Sequence, residues 1–231
     1  NDIQNLFSNT IEYNRNIKKV PAHMLNFKKI TNHLITLNHK NINNILENYS
    51  ISEKADGENH FIFISDEGYF LINDRSKITK LDYKLKDKSL INTLINGEYV
   101  NYLKSFYSFD ILIYKGKEIT LEPFSTRITY LEHIKNNTID SETLRLYNKK
   151  FYHKNIFENA DKIYNKTKFP YNIDGLVFIG TNSEYRSVIY KWKPLDELTT
   201  DFLVKQSPIK DTFYLYVTIN KKDLQKYNIE V

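Results

Sequence analysis

Ser52-Glu53-Lys54-Ala55-Asp56-Gly57 is the stretch on which the fold of this chain depends. Before it, Asn48–Ile51 is predicted to be a short strand, and after it Phe61–Ile64 is an apolar run of strand length. Lys54 therefore stands at the end of a strand, beside a glycine that lets the backbone approach a ligand closely. A lysine is a nucleophile only as the neutral amine, which burial and neighbouring cations favour. Alone, this short pattern also occurs in solvated surface turns, so its meaning depends on the residues that follow.

Composition places the chain among folded globular proteins. Of 231 residues, 41% are hydrophobic and 14% aromatic, and only 6 are glycine and 5 proline, so neither disorder nor a long flexible linker is expected. The absence of cysteine excludes disulfides and thiolate metal sites. The formal net charge of +5 is spread among charges of both signs, which is compatible with a nucleotide or RNA partner without requiring one.

Targeting and membrane signals are not found in this sequence. No apolar run approaches the roughly 20 residues that span a bilayer. The first residues, Asn1-Asp2-Ile3-Gln4, have neither an initiator methionine nor the character of a signal peptide. This start predicts a piece cut from a longer protein.

A hairpin is predicted directly after the lysine motif. Tyr69–Ile72 is expected to pair with Phe61–Ile64 across a short polar turn, which returns Arg75 towards the end of the hairpin that holds Lys54. Arg75 is also compatible with a solvated strand terminus.

Two further strands are predicted to carry a carboxylate each. Leu94–Val100 contains Glu98, and Phe106–Tyr114 is a long apolar run, expected to be a central strand, that Asp110 interrupts. A carboxylate within an apolar strand is costly unless it is paired or bound to a metal. For Glu98, an edge strand that faces solvent is the alternative.

The helical part of the chain is predicted from periodicity and capping. The predicted helices are Asn41–Asn48, then Ser125–Ile134 with Ser125 as its N-cap, and much of 139–166, while Ile119–Leu121 is a further candidate strand.

The C-terminal third is predicted to contain two motif-bearing strands. Asp174-Gly175 heads the strand that ends at Gly180, and Ser187–Pro194 forms the next, with Lys191 and Lys193 on one face. Two cations on one face of a strand repel each other and are best tolerated around an anion. Beyond them, Thr199–Lys205 and Phe213–Thr218 are predicted as strands at the beginning of a second module.

Five polar elements thus recur at the ends or centres of apolar strands: Lys54-x-Asp56-Gly57, Gly97-Glu98, Phe109-Asp110, Asp174-Gly175 and Lys191-x-Lys193. A sheet can bring all five into one cleft. The set suits nucleotidyl transfer, in which an amine attacks an α-phosphorus, carboxylates hold a divalent metal and further lysines hold phosphate oxygens.

The order and spacing of these motifs resemble the covalent nucleotidyltransferase superfamily, which comprises DNA ligases, RNA ligases and mRNA capping guanylyltransferases. The resemblance implies that Lys54 takes the nucleotide as a phosphoamide, Arg75 holds the ribose and Phe109 stacks on the base. It implies metal-binding or activating roles for Glu98 and Asp174. The implied catalytic residues are Lys54, Asp174, Lys191 and Lys193, and the implied nucleotide-binding residues are Glu53, Lys54, Asp56, Gly57, Arg75, Glu98, Phe109, Lys191 and Lys193.

A finer resemblance is to the capping enzymes of large cytoplasmic DNA viruses. Three pieces carry it: Phe106–Gly116 with Phe124–Arg127, Pro170–Phe178, and Lys191–Pro194 with Thr200–Val204. The family commonly has Ile-Arg after Lys-x-Asp-Gly, whereas Glu58 and Asn59 stand here, which removes one implied nucleotide contact.

The resemblance implies an α+β fold of the ligase and capping type, ATP-grasp-like, with antiparallel sheets flanked by helices and the start of a C-terminal OB-fold. The expected domains are 1–200 for nucleotidyl transfer, of which 1–40 carries no motif, and 201–231 for a truncated OB-fold. The implied substrates are GTP and 5′-diphosphate RNA, with Mg²⁺ or Mn²⁺ as cofactor. Triphosphatase and methyltransferase domains or subunits are the implied partners, no membrane is involved, and the host cytoplasm or the virion is the expected place of action.

Two other functions stay open on the sequence. An ATP-dependent DNA or RNA ligase would use the same chemistry through a lysyl-AMP intermediate. A catalytically inactive nucleotide- or RNA-binding module is compatible with Asn59 and with the short C-terminal module.

Overall fold

The computed structural model describes residues 34–73, 77–139, 141, 143–195 and 202–216 of the chain. The chain divides into two compact units, Asn1–Lys193 and Pro194–Val231. The predicted ribose contact Arg75 lies outside the described residues.

The larger sheet of the first unit has seven strands, and all neighbours except one pair run antiparallel. The strands are β3 (Glu58–Ser65), β4 (Gly68–Asn73), β5 (Ile78–Leu81), β7 (Thr93–Val100), β8 (Ser105–Tyr114), β9 (Lys117–Glu118) and β11 (Arg145–Asn148). Their order across the sheet is β11-β8-β7-β3-β4-β5, and β9 pairs with the end of β8. The predicted hairpin of β3 and β4 and the two carboxylate-bearing strands are confirmed.

The smaller sheet contains the lysine motif, and its strands are β1 (Leu34–Thr36), β2 (Tyr49–Ala55), β12 (Ile173–Gly180) and β13 (Ile189–Trp192). Their order across the sheet is β1-β13-β12-β2. Antiparallel pairing of β12 with both β2 and β13 places three of the predicted motifs side by side, although they lie far apart in the sequence. A separate two-stranded pair joins β6 (Lys84–Leu85) to β10 (Thr138–Ile139).

Alternating side chains of β3 explain why both faces of the larger sheet are buried. Ile62 and Ile64 lie in an apolar cluster with Leu131 and Ile134 of helix α1 (Phe124–Asn136). Phe61, on the opposite face, belongs to a second cluster with Leu112 and Tyr185. Because each face has its own apolar cover, β3 is apolar along most of its length instead of alternating with polar residues.

Helix α1 begins one residue before the position predicted for its cap. The N-cap position is Pro123, without a side-chain cap, so the prediction of Ser125 as N-cap is wrong. The amides of Phe124 and Ser125 donate instead to the carbonyls of Ser183 and Thr181. Tertiary acceptors thus satisfy the helix amides that a capping side chain would otherwise bind.

Three other secondary-structure predictions need correction. The predicted helix over Asn41–Asn48 is one 3₁₀ turn, Ile42–Ile45. Ile119–Leu121 is not a strand, because β9 ends at Glu118 and the chain turns towards α1. Within 139–166, helix α2 (Ile156–Asp161) and a π-helical turn (Lys162–Lys166) follow strand β11, which pairs in parallel with the open edge of β8. Pairing with a sheet edge outweighs local helix preference there.

In the second unit, the structure describes a hairpin of β14 (Leu203–Gln206) and β15 (Phe213–Tyr216). These two strands overlap in sequence with the two strands predicted there. A hairpin is a smaller element than a barrel, so the predicted OB-fold is not established by residues 202–216.

Two further 3₁₀ turns, Lys88–Leu90 and Asn101–Leu103, complete the described elements. Within the described ranges, no helix has the length and apolar character to span a membrane. Among the described residues, the fold is therefore built of mostly antiparallel sheets with few helices, which confirms the antiparallel sheets that the resemblance implies.

Candidate active site

The two sheets of the first unit enclose a cavity of about 380 Å³. The larger sheet contributes Asn59, Asn96, Glu98 and Phe109, and the smaller sheet contributes Leu34, Lys54, Val177, Ile179 and Ile189. The turn between β2 and β3 contributes Gly57, and the segment after β11 contributes Lys149 and Phe151. A second cleft of about 430 Å³ near His60 and Lys77 contains none of the predicted site residues that the structure describes. The predicted motifs therefore select the cavity between the sheets.

Lys54, Asp174 and Lys193 form an ion cluster at this cavity. The Lys54 Nζ donates to Asp174 Oδ1 at 2.8 Å and to Oδ2 at 2.9 Å, and the Lys193 Nζ lies 2.5 Å from the same Oδ2. The three side chains are 17 to 24% exposed, so they are shielded but still reachable from solvent. Asp174 therefore lies between the ammonium groups of Lys54 and Lys193, whereas the sequence predicted an anion between Lys191 and Lys193.

A bulge in β12 presents Asp174. The register with β2 shifts between Ile173 and Gly175, and Asp174 is the extra residue. Gly175 has φ of +145°, and a Cβ there would lie 1.9 Å from the carbonyl oxygen of Trp192. The Asp-Gly pair is thus a backbone requirement, because only glycine allows β12 and β13 to approach here.

The environment keeps Asp174 ionised. Burial alone would raise the pKa of this carboxyl, but hydrogen bonds from Lys193 and Lys54 outweigh it and hold the pKa below its ordinary value. Asp174 is therefore a carboxylate at neutral pH, as a metal ligand or a partner of a lysine must be.

Glu98 lies on β7 and contacts the turn that follows Lys54. Burial raises the pKa of Glu98, opposed first by the charge of Lys149 and then by that of Lys54, and the Gly57 amide donates to it. A Cβ on Gly57 would lie 2.8 Å from Glu98 Cγ and 2.9 Å from the Tyr99 carbonyl oxygen. Gly57 is thus needed because β7 passes directly over it.

Phe109 reaches the cavity through a bulge in β8. Asn96 pairs with Asp110 but Gly97 pairs with Ser108, so Phe109 is the extra residue between them. The ring lines the cavity, whereas the side chain of Asp110 binds Arg127. The bulge separates an aromatic surface for a ligand from a structural carboxylate.

A buried ion pair beside Phe109 was not predicted from the sequence. The Lys149 Nζ lies 3.7 Å from Glu53 Oε1, both side chains are 4% exposed, and the ammonium group stands 5.8 Å from the Phe109 ring centre. Glu53 accepts hydrogen bonds from Ser52 at 2.6 Å and from Tyr171 at 2.7 Å. Nothing in the sequence around Lys149 separates it from the neighbouring surface lysines, so its role is visible only in three dimensions.

The remaining predicted residues lie at different distances from the cavity. Glu53 was predicted to bind nucleotide, yet its carboxylate contacts protein groups and reaches the cavity only through Lys149. Asp56 is exposed in the turn between β2 and β3, where its amide donates to Asn172. Lys191 is half-buried and opposes Val177, which lines the cavity. The structure thus brings together Lys54, Gly57, Glu98, Phe109, Asp174 and Lys193.

The donor set fits a magnesium ion that also binds a phosphate ligand. Among the described residues, no group of three or more His, Cys, Asp or Glu side chains could hold a metal. Glu98 and Asp174 lie close enough that the charge of Asp174 adds to burial in raising the pKa of Glu98. Mg²⁺ typically takes one or two carboxylates and completes its shell with phosphate oxygens and water.

Comparisons with known proteins agree with the motifs. The family model described as "mRNA capping enzyme, catalytic domain" matches residues 8–195. The mRNA-capping enzyme of African swine fever virus is 30% identical over 169 residues, 69% of this chain and 19% of that protein. The probable mRNA-capping enzyme of Acanthamoeba polyphaga mimivirus is 25% identical, over 70% of this chain and 19% of that protein, and the mRNA-capping enzyme of Caenorhabditis elegans is 28% identical, over 74% and 32%.

Among solved structures, a Lig E DNA ligase aligns with a TM-score of 0.48 and 12% identity, over 86% of this chain and 88% of that one. The chain spans about a fifth of the length of the viral relatives it matches. The family resemblance predicted from the motifs is confirmed by the match over residues 8–195, and the chain belongs to the mRNA capping enzyme catalytic domain family.

Proposed function

We propose that this chain is the guanylyltransferase domain of an mRNA capping enzyme. Lys54 attacks the α-phosphate of GTP to form lysyl-GMP, and GMP then passes to the 5′-diphosphate end of RNA. The observation that carries the proposal is the ion cluster of Lys54, Asp174 and Lys193 at a cavity that also presents an aromatic ring. Its residue types match the demands of covalent nucleotidyl transfer.

In the first step, the Lys54 amine forms a bond to the α-phosphorus. The ammonium group first leaves Asp174 and loses one proton to solvent. As the bond from nitrogen to the α-phosphorus forms, the bond from that phosphorus to the bridging oxygen breaks with its electron pair and releases pyrophosphate, and the nitrogen loses a second proton to give the neutral phosphoamide. Lys193, and Lys191 where it reaches the phosphates, offset the negative charge that develops on the phosphate oxygens. Asp174 and Glu98 are the residues that would hold a Mg²⁺ ion, whose charge further stabilises the phosphates.

In the second step, an oxygen of the terminal phosphate of 5′-diphosphate RNA attacks the same phosphorus. The phosphorus–nitrogen bond breaks with its electron pair on nitrogen, the Lys54 nitrogen takes up two protons from solvent, and the cap is formed. Asp174, which is held ionised, then receives the restored ammonium group.

Lys149 favours guanine over adenine as the base. Lys149 and Phe109 both line the cavity, and the Lys149 ammonium group, 5.8 Å from the Phe109 ring centre, only donates hydrogen bonds. Guanine presents an acceptor oxygen where adenine presents an amino donor. This difference supports GTP as the substrate and weighs against a ligase that uses ATP.

The test is formation of a covalent nucleotide adduct with α-labelled GTP, and with α-labelled ATP in parallel, in Mg²⁺. Acid-labile label from GTP that persists on the denatured chain, and that disappears in Lys54→Ala, is the expected result. Lys117→Ala is the matched control, because that side chain is 75% exposed and pairs only with Glu122 among the described residues. Label from ATP alone would establish a ligase, and no label in a form extended beyond Val231 would leave a binding module.

The wider setting is proposed from the same family relationship. We place the reaction in the host cytoplasm or the virion, with triphosphatase and methyltransferase activities on the same polypeptide or on a partner subunit. Co-purification of those activities with the full-length protein tests this.

A further inference from the structure

Three polar side chains form a hydrogen-bonded relay that ends in the cavity. Tyr185, which is 5% exposed, donates its hydroxyl to Asn96 Oδ1 at 2.9 Å. Asn96 is 2% exposed and uses its Nδ2 twice, to the His60 carbonyl oxygen at 3.0 Å and to Asn59 Oδ1 at 2.7 Å. Asn59 and Asn96 both line the cavity.

The relay fixes the direction of each amide. The His60 carbonyl only accepts, so the Asn96 atom facing it must be the nitrogen, and the Tyr185 hydroxyl then donates to the Asn96 oxygen. Both hydrogens of the Asn96 amide are thereby used, and the second one requires that the Asn59 oxygen be the acceptor. The Asn59 nitrogen, with two hydrogens, is left to face away from Asn96.

Asn59 also stands directly opposite Glu98 in the ladder between β3 and β7. Opposed residues share a face of the sheet, so a donor and a carboxylate acceptor lie side by side at the cavity wall. This pair presents a hydrogen-bond donor and an acceptor to a ligand in the cavity.

We propose that Asn59 is a specificity-determining nucleotide contact whose Nδ2 donates to an oxygen of the ribose-phosphate, in a direction fixed by Asn96 and Tyr185. This inference rests on the proposed function. Asn96 and Tyr185 act as positioning residues, because they set the polarity of Asn59 from within the larger sheet. The acceptor is either a ribose hydroxyl or a phosphate oxygen, and the two give different results with deoxynucleotides.

The test reverses the polarity of one atom. Asn59→Asp keeps the shape and the acceptor for Asn96 but presents an oxygen to the ligand where the wild type presents a donor. We expect the calorimetric Kd for GTP and the KM for lysyl-GMP formation to rise about tenfold, with kcat changed much less. Asn101→Asp, an exposed site just beyond β7, is the control for the added charge.

Three nucleotides identify the acceptor. If the Asn59→Asp penalty shrinks with 2′-deoxy-GTP or 3′-deoxy-GTP, that hydroxyl is the acceptor, and if it is equal for all three, a phosphate oxygen is. Asn96→Asp should reproduce the KM effect, because an aspartate there accepts from Asn59 and turns its oxygen towards the ligand, while a purely structural role would lower thermal stability and leave KM unchanged. Kd and KM within twofold of wild type for Asn59→Asp would overturn the inference. Wild-type protein that binds GTP but forms no adduct would instead refute the proposed function and leave the binding result valid.

Discussion

Removal of the buried Lys149 ammonium group should destabilise the protein more than any change at an exposed lysine. In Lys149→Met, the Glu53 carboxylate keeps its hydrogen bonds from Ser52 and Tyr171 but loses its cation in a site that is 4% exposed. Burial and the neighbouring Glu53 raise the pKa of Tyr171, so that hydroxyl stays protonated and continues to donate to Glu53, but it supplies no positive charge. A charge is thus left buried without a counterion.

The magnitude follows from the geometry. At a separation of 3.7 Å and an effective dielectric constant of about 20, the attraction is about 4.5 kcal/mol. Breaking a buried pair by deleting one partner typically costs about 3–5 kcal/mol. For a chain of this length that corresponds to a fall in Tm of roughly 6–20 °C, a large part of the usual stability of about 5–15 kcal/mol.

The double variant Glu53→Gln/Lys149→Met should recover most of this loss. A glutamine amide can donate to the Ser52 hydroxyl, which then donates its own hydrogen to the Lys150 carbonyl oxygen. Neutral groups that pack well often replace a buried ion pair at little net cost. The expected coupling between the two substitutions is therefore at least about 2 kcal/mol.

Urea unfolding followed by fluorescence measures the effect, since Trp192 is the single tryptophan of the chain and its ring packs against Tyr164. Lys166→Met, at an exposed ion pair with Asp161, is the control and should leave the urea midpoint nearly unchanged, because exposed ion pairs contribute little to stability. A loss below about 1 kcal/mol for Lys149→Met, or a double variant as unstable as the sum of the single ones, would contradict the proposed energetics.

Three further outcomes are expected. Glu98→Gln should raise Tm at pH 7 by about 2–4 °C while abolishing adduct formation, measured by calorimetry and labelling. The sign follows because burial raises the pKa of Glu98 above its ordinary 4.5, so its stabilising contribution is complete below that value and is lost as the pH rises through the folded-state pKa. Gly175→Ala should leave little folded protein in expression and circular dichroism trials, since its Cβ would meet the Trp192 carbonyl at 1.9 Å, whereas Gly180→Ala, with its nearest atom at 3.0 Å, should fold. Phe109→Leu should weaken calorimetric GTP binding about tenfold through lost stacking, and unchanged affinity would remove Phe109 from the base site.

Apolar runs were sufficient to predict the strands that carry the site. Phe61–Ile64 is a continuous apolar run, and Leu94–Val100 and Phe106–Tyr114 are rich in β-forming residues despite the polar residues within them. Composition therefore places all three in a buried sheet whatever their partners. Ser125 and Ile119–Leu121 were predicted wrongly because carbonyls of residues 181–183 and the turn into α1 decide those positions. Such long-range contacts leave no local pattern.

Residues whose role depends on register could not be predicted in the same way. The polarity of Asn59 follows from a chain of hydrogen bonds through Asn96 to Tyr185, which is 126 residues away from Asn59 in the sequence. Lys149 gains its role from Glu53, with which it shares no sequence signal. The motifs contain the residues that are predicted to contact a ligand. The residues that position them come from strands that are distant in sequence and that the topology makes neighbours.

Two bulges connect these levels of structure. A regular β12 would point Asp174 and Gly175 to opposite faces, and a regular β8 would bury Phe109 or expose Asp110. The extra residue in each strand turns one side chain, Asp174 or Phe109, towards the site. Each bulge also lies beside a glycine at which an added Cβ would collide with the neighbouring strand, at 1.9 Å for Gly175 and 2.4 Å for Gly97. The glycines in Gly97-Glu98 and Asp174-Gly175 are therefore required by the backbone, whereas the acids are the residues proposed to act on a ligand. A glycine stands next to an acid in both motifs because the two carboxylates lie beside β-bulges, where the backbones of neighbouring strands approach closely.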